Sequence, residues 1–511
     1  MDQVNEKLQR LKEIDREHLL LGHAAAVLHW DQETYMPDGA VQERADQLSL
    51  LSGLKHDRIT QPEIGEILAA LGVSFEPDPL PVVPETFKGV DRAFLRELAR
   101  LYRRSKKIPR RLVTELAKQT ALGQRVWVEA RKAADFSKFS GQLSVILGLV
   151  RELSACLGYE EHPYDPLFDE YEPWMKTAEV EEVFTGLRAG LRKLLDRIKG
   201  SRLAADTSFL HRGYEIEKQK LFSLQVSKAI GYDFHRGRLD ESAHPFTTTL
   251  GSSDVRITTR YNTSFFPTGI FGTIHECGHG LYELGFAEDL QGSLLAEGAS
   301  LGVHESQSRM WENLIGRSLP FWNHFFPELK KIFPGSLKDV DLRRFYEGIN
   351  RVAPSFIRVE ADEVTYNLHI LLRFELEKQM ITGDLAVEDL PVAWNAKMKE
   401  LLGLTPPDDA QGVLQDIHWS GGMIGYFPTY ALGNLYAAQF FQSLRREVSD
   451  WKQQLEQGHF APILDWLRRN VHKHGGVYSA GELCSRITGE TLNPLYLLDH
   501  FEEKFGDIYG F

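Results

Sequence analysis

Two histidines four residues apart, with a glutamate directly after the first, are the residues of this sequence best suited to metal chemistry. They lie in the stretch GTIHECGHGLYELG, residues 272–285. On a helix each residue advances about 100°, so His275 and His279 share one face and both imidazoles can bind one ion. Glu276 is rotated away from that ion and is placed to act as a base on a water molecule there. The spacing therefore predicts a helix that holds a catalytic zinc ion.

A chance match is the alternative to a metal site. With 18 His and 72 acidic residues among 511, a random His-acid-x-x-His is expected roughly 0.1 times in such a chain. Gly278 and Gly280 argue against an ordinary structural helix, because each costs roughly 1 kcal/mol of helix propensity relative to alanine. We expect them to allow close approach of another backbone segment or of a ligand.

The third metal ligand is not identified by spacing. A catalytic zinc ion usually has three protein ligands and leaves the fourth position to water. Downstream, the segment LLAEGASLGVHESQSRMWENL offers four candidates, namely Glu297, His304, Glu305 and Glu312. Cys277 lies two residues from each histidine and therefore points to the far side of the helix, so we predict that it is a small core residue.

Composition excludes several classes of protein. The net charge is −13 and no block of five or six basic residues occurs, so we expect no nucleic-acid partner. Only three cysteines are present, too few for a disulfide framework, which fits a reducing compartment. No run approaches the ~20 apolar residues of a membrane span, and the N-terminus lacks the features of a signal peptide. We therefore expect a cytoplasmic protein without a membrane partner.

Helix is the element that must position these residues. Apolar residues recur at intervals of three and four, as at Val4, Leu8, Leu11 and Ile14, which indicates amphipathic helices. The proline-rich stretch 77–84 cannot be helical and predicts a connection between an N-terminal helical region, about 1–76, and a helical body, 85–511. Long helices are expected within 86–158, one of them beginning at Pro109, and within 178–230 and 360–382.

The residue pattern of one segment predicts a β-strand. In DVRITTRY, residues 254–261, Val255, Ile257 and Thr259 alternate with polar residues, the pattern of a half-buried strand. It lies just upstream of the two histidines. We predict an edge strand that lines a cleft and can pair with an extended peptide.

Six short motifs and two terminal segments occur together in a recognisable order. The motifs are HPF (244–246), DVRIT (254–258), HECGH (275–279), HESQ (304–307), IRVEAD (357–362) and GVLQDIHW (412–419), and the terminal segments are LHWDQETYMP (28–37) and TGETLNPLYLLDHFEEKFGDIYGF (488–511). With these motifs the sequence resembles the carboxypeptidase Taq family of zinc metallocarboxypeptidases. The resemblance covers essentially the whole chain and implies a single catalytic domain over residues 1–511.

The resemblance also implies a site and a fold. It makes Glu305 the third metal ligand beside His275 and His279, with Glu276 as the catalytic base. It implies a mainly α-helical, two-lobed homodimeric enzyme with a deep substrate groove and a small β edge, similar to neurolysin and angiotensin-converting enzyme. His2Glu ligation suits Zn²⁺, and Co²⁺ can replace it. On this basis Gly278 and Gly280 are expected to admit the segment that carries Glu305.

Two residues are candidates to stabilise the oxyanion that forms when a peptide carbonyl is attacked. They are His418, in GVLQDIHW, and Tyr430, in GYFPTYALG, chosen by similarity to the His and Tyr donors of helical zinc peptidases. For Tyr430 the alternative is a packed aromatic side chain whose hydroxyl group is satisfied by the protein.

Recognition of a free C-terminus requires a cationic or amide group that binds its carboxylate. Arg358 is our first candidate and Arg256 the second, although an arginine beside acidic residues often belongs to a structural ion-pair network. His244 can donate to the substrate or pack near a proline turn. Asp416 and His369 are candidates to orient the metal-binding imidazoles.

The function predicted from these observations is zinc-dependent removal of single residues from the C-termini of peptides, with broad side-chain preference. An endo-oligopeptidase would use the same site for internal cleavage. A helical scaffold with a structural metal, or with none, is a third hypothesis, but it gives no reason for a glutamate at position 276.

Overall fold

The computed structural model describes residues 2–75, 81–201, 203 and 205–511. Helices dominate these residues, which confirms the predicted mainly α-helical fold. The α-helices are α1 (Asp2–Thr34), α2 (Val41–Thr60), α3 (Pro62–Ala70), α4 (Gly89–Lys107), α5 (Arg110–Ala133), α6 (Ser137–Leu157), α7 (Asp165–Phe168), α8 (Thr177–Gly200), α9 (Ile216–Ala229), α10 (Pro267–Glu283), α11 (Leu301–Arg309), α12 (Leu319–Ile332), α13 (Pro334–Leu337), α14 (Leu342–Ile349), α15 (Tyr366–Thr382), α16 (Leu390–Leu402), α17 (Pro428–Glu447), α18 (Trp451–Glu456), α19 (Ala461–Asn470), α20 (Ala480–Thr488) and α21 (Leu495–Tyr509).

Shorter helical segments connect these elements. Turns of 3-10 helix cover Asp38–Ala40, Ser208–His211, Glu288–Leu290, Arg358–Glu360, Val387–Asp389, His418–Gly421 and His472–Val477, and a π-helix, Met310–Ile315, follows α11 directly. None of the helices in the described ranges is both long enough and apolar enough to cross a membrane.

The predicted helix bounds agree closely with the structure. Pro109 is extended, with φ −62° and ψ 137°, and stands just before α5, so this helix begins one residue later than expected. The expected long helices are present within 86–158, within 178–230 as α8 and α9, and within 360–382 as α15. The proline-rich connection runs between α3 and α4. Its residues Pro77 and Pro79 lie outside the described part of the chain.

A second, smaller core joins the N-terminal helices to the rest of the chain. Leu8, Leu11 and Ile14 of α1 are buried together with residues of α3 and α4, and with Leu290 and Leu295. Val4 is 43% exposed, so the buried stripe of α1 begins one turn later than the sequence pattern. The N-terminal region is therefore packed against the segment that leads into α11.

A three-stranded sheet lies beside α10. Its strands are β1 (Leu239–Glu241), β2 (Thr247–Gly251) and β3 (Asp254–Thr259), in the order β1-β3-β2. β3 pairs parallel with β1 and antiparallel with β2, where Thr247 is opposite Ile257 and Thr249 is opposite Val255. The strand predicted at 254–261 is found at Asp254–Thr259, but the expectation that it is an edge strand is wrong. β2 is an edge strand instead, and its TTTLG sequence lacks the apolar alternation that would have revealed it.

Candidate metal centre

Two imidazoles and one carboxylate come together where α10 and α11 meet. The ligand atoms of His275, His279 and Glu305 all lie within 4.8 Å of one another. Glu305 Oε2 is 3.6 Å from His275 Nε2 and 3.3 Å from His279 Nε2. Donors in a tetrahedral zinc site are about 3.3 Å apart, given metal–ligand distances near 2.0–2.2 Å. The three side chains therefore fit a zinc ion and could supply three of its four ligands.

Glycine allows α10 and α11 to approach this closely. A Cβ atom at Gly278 would lie 2.5 Å from the Cα atom of Ser308, on α11. On the other side of α11, a Cβ atom at Gly433 of α17 would lie 2.6 Å from the Cβ atom of Glu305. The expectation that Gly278 admits the segment that carries Glu305 is thus confirmed.

Gly280 has a different neighbour from the one expected. A Cβ atom there would lie 2.8 Å from the ring of Tyr232 and 3.3 Å from Ile257 of β3. Gly280 therefore admits the sheet and Tyr232, and the prediction that it contacts the Glu305 segment is wrong. Gly278 and Gly280 are two residues apart and therefore lie on different faces of α10. The spacing alone does not say which element contacts each face, because that depends on how the neighbouring elements pack.

The other ring nitrogens of the two histidines have side-chain partners. His275 Nδ1 is 2.9 Å from Glu312 Oε2. His279 Nδ1 is 2.6 Å from His304 Nδ1, and His304 Nε2 is 2.7 Å from Glu283 Oε1. Both contacts of His304 are satisfied when His279 donates to it and it donates to Glu283. These contacts fix both imidazoles with Nε2 free to bind a metal.

These contacts distinguish the four candidates for the third metal ligand. Glu305 faces both Nε2 atoms, while Glu312 and His304 hold the Nδ1 atoms. Glu297 is exposed and lies outside the donor set. Cys277 is fully buried, which confirms the prediction that it is a core residue.

Glu276 is buried beside the donor set and held by a threonine. Thr247 Oγ1, on β2, donates to Glu276 Oε2 at 2.7 Å. Burial raises the pKa of the Glu276 carboxyl above its ordinary value, and the charge of His275 and the Thr247 hydrogen bond oppose that shift only in part. A carboxylate with an increased proton affinity is suited to accept a proton.

Buried charges shift the pKa values of the residues in and around the donor set. Burial favours the neutral form of Glu305, but the charge of Arg309 holds the pKa of this carboxyl well below its ordinary value. The Glu312 side chain is 13% exposed, and the charge of Arg309 lowers its pKa to about 2 although partial burial opposes this shift. Burial lowers the pKa of His279 to about 3, so this imidazole is neutral and its lone pair is available to a metal.

The two oxyanion candidates are neighbours. His418 Nε2 is 3.3 Å from the Tyr430 hydroxyl oxygen. Burial raises the pKa of Tyr430 well above its ordinary value, and the charge of Glu305 contributes to that shift. Tyr430 therefore keeps its proton and can donate a hydrogen bond. It is also close enough to Glu305 for the charge of that carboxylate to affect it. The structure thus places the two candidates next to each other, and their role as oxyanion donors stays a prediction.

Tyr426 is a site residue that the sequence analysis missed. Its ring centroid is 5.3 Å from those of both His418 and Tyr430, and burial raises its pKa to about 12. Two tyrosines four apart in GYFPTYALG, one of them already a candidate, were the signal that could have identified it.

Arg358 lies in a buried ion-pair network next to the Tyr430 ring. Its Nε and Nη2 atoms donate to Asp416 Oδ1 at 3.0 and 2.9 Å, and Nη1 donates to the Tyr366 hydroxyl at 2.9 Å. Arg373 pairs with the other oxygen of Asp416, so two guanidinium groups share one carboxylate. The guanidinium of Arg358 is 4.9 Å from the Tyr430 ring centroid. One positive charge in this network is therefore left without a carboxylate.

Asp416 and His369 do not orient the metal-binding imidazoles. Asp416 accepts from Arg358 and Arg373. His369 is fully buried beside Arg373, whose Nη1 atom donates to the His369 carbonyl. The orienting role predicted for them is filled by Glu312 and His304, because α11 and the following π-helix pass nearer to α10 than these two residues do.

The structure does not bring the remaining two candidates to the donor set. Arg256 pairs with Asp254 and lies 4.2 Å from the ring centroid of Trp30, on α1. It is opposite Thr248, on the sheet face away from α10, because Thr247 reaches Glu276 from the other face. His244 is exposed, and its carbonyl accepts from Ser242. The alternation of side chains in β3 explains why a motif residue points away from the site.

Comparisons with known proteins give matches over almost the whole chain. The family model for carboxypeptidase Taq (M32) metallopeptidases matches residues 10–505. Thermostable carboxypeptidase 1 of Thermus thermophilus is 45% identical over 512 residues, which cover 98% of this chain and 99% of that protein. Carboxypeptidase 1 of Bacillus subtilis is 41% identical over 95% of each chain. The crystal structure of the M32 carboxypeptidase from Deinococcus radiodurans matches with a TM-score of 0.94 and 38% identity, over 99% of this chain and 100% of that one.

Proposed function

The chain belongs to the carboxypeptidase Taq family of metallopeptidases, and we propose that it releases C-terminal residues from peptides with a zinc ion held by His275, His279 and Glu305. The observation that carries the proposal is the convergence of these three ligand atoms within 4.8 Å, next to a buried glutamate. The enzyme is a carboxypeptidase like its relatives. The metal, the roles of individual residues and the substrate preference are our proposals.

Glu276 acts as the base in the proposed reaction. When bound, zinc supplies a Lewis acid that polarises the scissile carbonyl and makes water more acidic. Glu276 takes a proton from the attacking water and then passes it to the leaving amine. Its hydrogen bond from Thr247 fixes one carboxylate oxygen, Oε2, and leaves Oε1 to act on the water.

His418 and Tyr430 stabilise the oxyanion. Both have N–H or O–H groups, they are adjacent, and Tyr430 keeps its proton because its pKa is raised by burial. A donor fixed before the reaction stabilises developing charge without the cost of reorganising water. Tyr426, packed against both rings, restricts their movement.

The excess positive charge around Asp416 attracts the C-terminal carboxylate. Arg358 is the member of this network that lies against Tyr430. It therefore remains our candidate for the substrate carboxylate, although its nitrogen atoms already have partners in the protein. Arg256 and His244 contact other parts of the protein and are less suitable.

The peptide main chain pairs with β2 in this proposal. β2 is at an edge of the sheet and carries the threonine that holds Glu276. An edge strand binds an extended peptide through backbone groups. Recognition of the main chain and of the terminal carboxylate makes little use of side-chain identity, and this supports a broad residue preference.

Two peptides test the proposal. Zinc-loaded enzyme is incubated with an N-blocked peptide and with the same peptide amidated at its C-terminus. We expect the free acid to give a ladder of products shortened one residue at a time, detected by mass spectrometry, and the amide to be cleaved far more slowly. Equal cleavage of both, or internal cuts, would indicate an endopeptidase.

Three further expectations stay predictions. Co²⁺ is expected to support activity, because the His2Glu donor set accepts it. A homodimer is expected from the family resemblance, and light scattering of the purified protein measures it. A cytoplasmic location is expected from the sparse cysteines.

A further inference from the structure

The two oxygen atoms of the Glu305 carboxylate have different partners. Oε2 faces His275 and His279 at 3.6 and 3.3 Å and accepts from Ser308 Oγ at 3.0 Å. Oε1 instead accepts from Arg309 Nε at 2.7 Å. Only Oε2 is therefore directed at the metal position, and a strong charge-assisted hydrogen bond engages the other oxygen.

Arg309 is fixed by more than its bond to Glu305. Its Nη1 atom donates to Glu312 Oε2 at 3.3 Å, the oxygen that also lies 2.9 Å from His275 Nδ1. Its guanidinium is 4.4 Å from the ring centroid of Tyr366, and its side chain is only 13% exposed. One planar group thus links the ligand carboxylate to the carboxylate that orients a ligand imidazole, which a single ammonium group cannot do.

The number of carboxylate oxygens that bind the metal matters for catalysis. A carboxylate that binds through both oxygens takes two coordination positions, whereas a catalytic zinc site needs one position free for water or substrate. Oε1 can reach the metal only if the carboxylate turns and its bond to Arg309 is lost or lengthened.

We propose that Arg309 is a positioning residue that keeps Glu305 a one-oxygen ligand and so preserves the free coordination position. The inference rests on the metal centre proposed above. It predicts that loss of the Arg309 contact changes the coordination of the metal, and not merely the stability of the protein.

Co²⁺ provides the readout, because its visible absorption weakens as its coordination number increases from four. Arg309→Met removes the guanidinium, and Arg309→Lys keeps the charge but cannot hold Glu305 and Glu312 together. We expect weaker visible bands in both variants, and a kcat roughly 10–100-fold lower, the usual effect of losing a group that supports a metal ligand.

Arg317→Lys is the matched control. Arg317 contacts the other oxygen of Glu312, Oε1, at 3.5 Å, and its other hydrogen bonds go to Asn313 Oδ1 and to the Ile349 carbonyl rather than to Glu305. The same chemical change at this neighbouring arginine is expected to leave the Co²⁺ spectrum unchanged.

The outcomes separate this inference from the proposed metal centre. Equilibrium dialysis of wild-type enzyme with Co²⁺ tests the centre first, and failure to bind would reject the centre itself. If wild-type binds Co²⁺ but Arg309→Lys and Arg309→Met keep its spectrum, Arg309 has only a structural role and the inference is overturned. If Arg309→Met does not fold, the spectrum of Arg309→Lys decides in the same way.

Discussion

Glu276 is the side chain on which the proposed chemistry depends most. Glu276→Gln keeps the size of the side chain and an oxygen that can accept from Thr247, but removes the base. We expect kcat to fall by about 10²–10⁴, the usual contribution of a general base, with unchanged metal content. Activity on an N-blocked peptide and metal analysis of the same sample measure both quantities. Near-normal activity with a full complement of metal would reject Glu276 as the base.

Thr247 is expected to contribute through the orientation of Glu276. Thr247→Val preserves shape but removes the hydrogen bond of 2.7 Å. We expect kcat to decrease roughly tenfold, as for loss of a hydrogen bond to a charged group worth about 1.5 kcal/mol. Thr185→Val is the control, because that hydroxyl donates only to a carbonyl of its own helix. A change in Tm without a change in kcat would show that Thr247 serves only stability.

The contact between α10 and α11 sets the distance between the histidines and Glu305. Gly278 lies at that contact, where a Cβ atom would meet the backbone of Ser308. Backbone cannot move aside as the end of a flexible side chain can. The geometry of the metal centre therefore depends on the absence of one methyl group.

Gly278→Ala is expected to push the two helices apart and to weaken metal binding at least roughly tenfold, since displaced ligands cost metal affinity. Gly272→Ala, on the same helix, is the matched control because a Cβ atom there meets only Thr259 Oγ1, at 3.4 Å. The control should fold with equal or higher stability, because alanine favours helix by about 1 kcal/mol. Competition with a chelator gives the metal affinity, and equal affinity for both variants would contradict this account.

Glu172, in the connection between α7 and α8, is fully buried. It links this connection to α11 and α17. It accepts from Ser300, from the backbone N–H of Gly302 and from Tyr436, so it joins the start of α11 to α17. Burial raises its pKa from 4.5 to about 7, although these donors oppose the shift. The folded protein thus holds a proton between these pH values that the unfolded chain releases.

Stability contributed by this proton is present below pH 4.5 and is lost as the pH rises toward 7. Glu172→Gln removes the dependence. We expect the Tm of this variant, relative to wild-type, to increase by about 2 °C between pH 5 and pH 8, given about 2.1 cal/mol/K of unfolding entropy per residue. Melting curves across that range measure it, and a constant difference in Tm would mean that Glu172 stays ionised.

Removal of the metal is expected to abolish catalytic activity without unfolding the protein. The large hydrophobic core is independent of the three ligands, and Arg309 balances the charge of Glu305. At a metal concentration of 100 times Kd the ion adds about 2.7 kcal/mol, so chelation should lower Tm by about 3 °C. Circular dichroism and activity after reloading check this, and global unfolding on chelation would identify a structural metal.

The sequence by itself determined the parts of the site that depend on local geometry. A helix places residues four apart on one face whatever surrounds it, so His275, His279 and the separate position of Glu276 followed from spacing. The buried Cys277 followed for the same reason, and alternation identified β3. The order of the six motifs indicated the family.

Only the tertiary structure decided which distant residues meet. It showed that Glu312 and His304 contact the Nδ1 atoms of the two histidines, directed Arg256 away from α10, and put β2 at an edge of the sheet. Spacing could not make these choices, because contacts between elements depend on how closely and at what angle the helices pack. That packing is set by side-chain volumes on several elements at once, as the close approach at Gly278 illustrates.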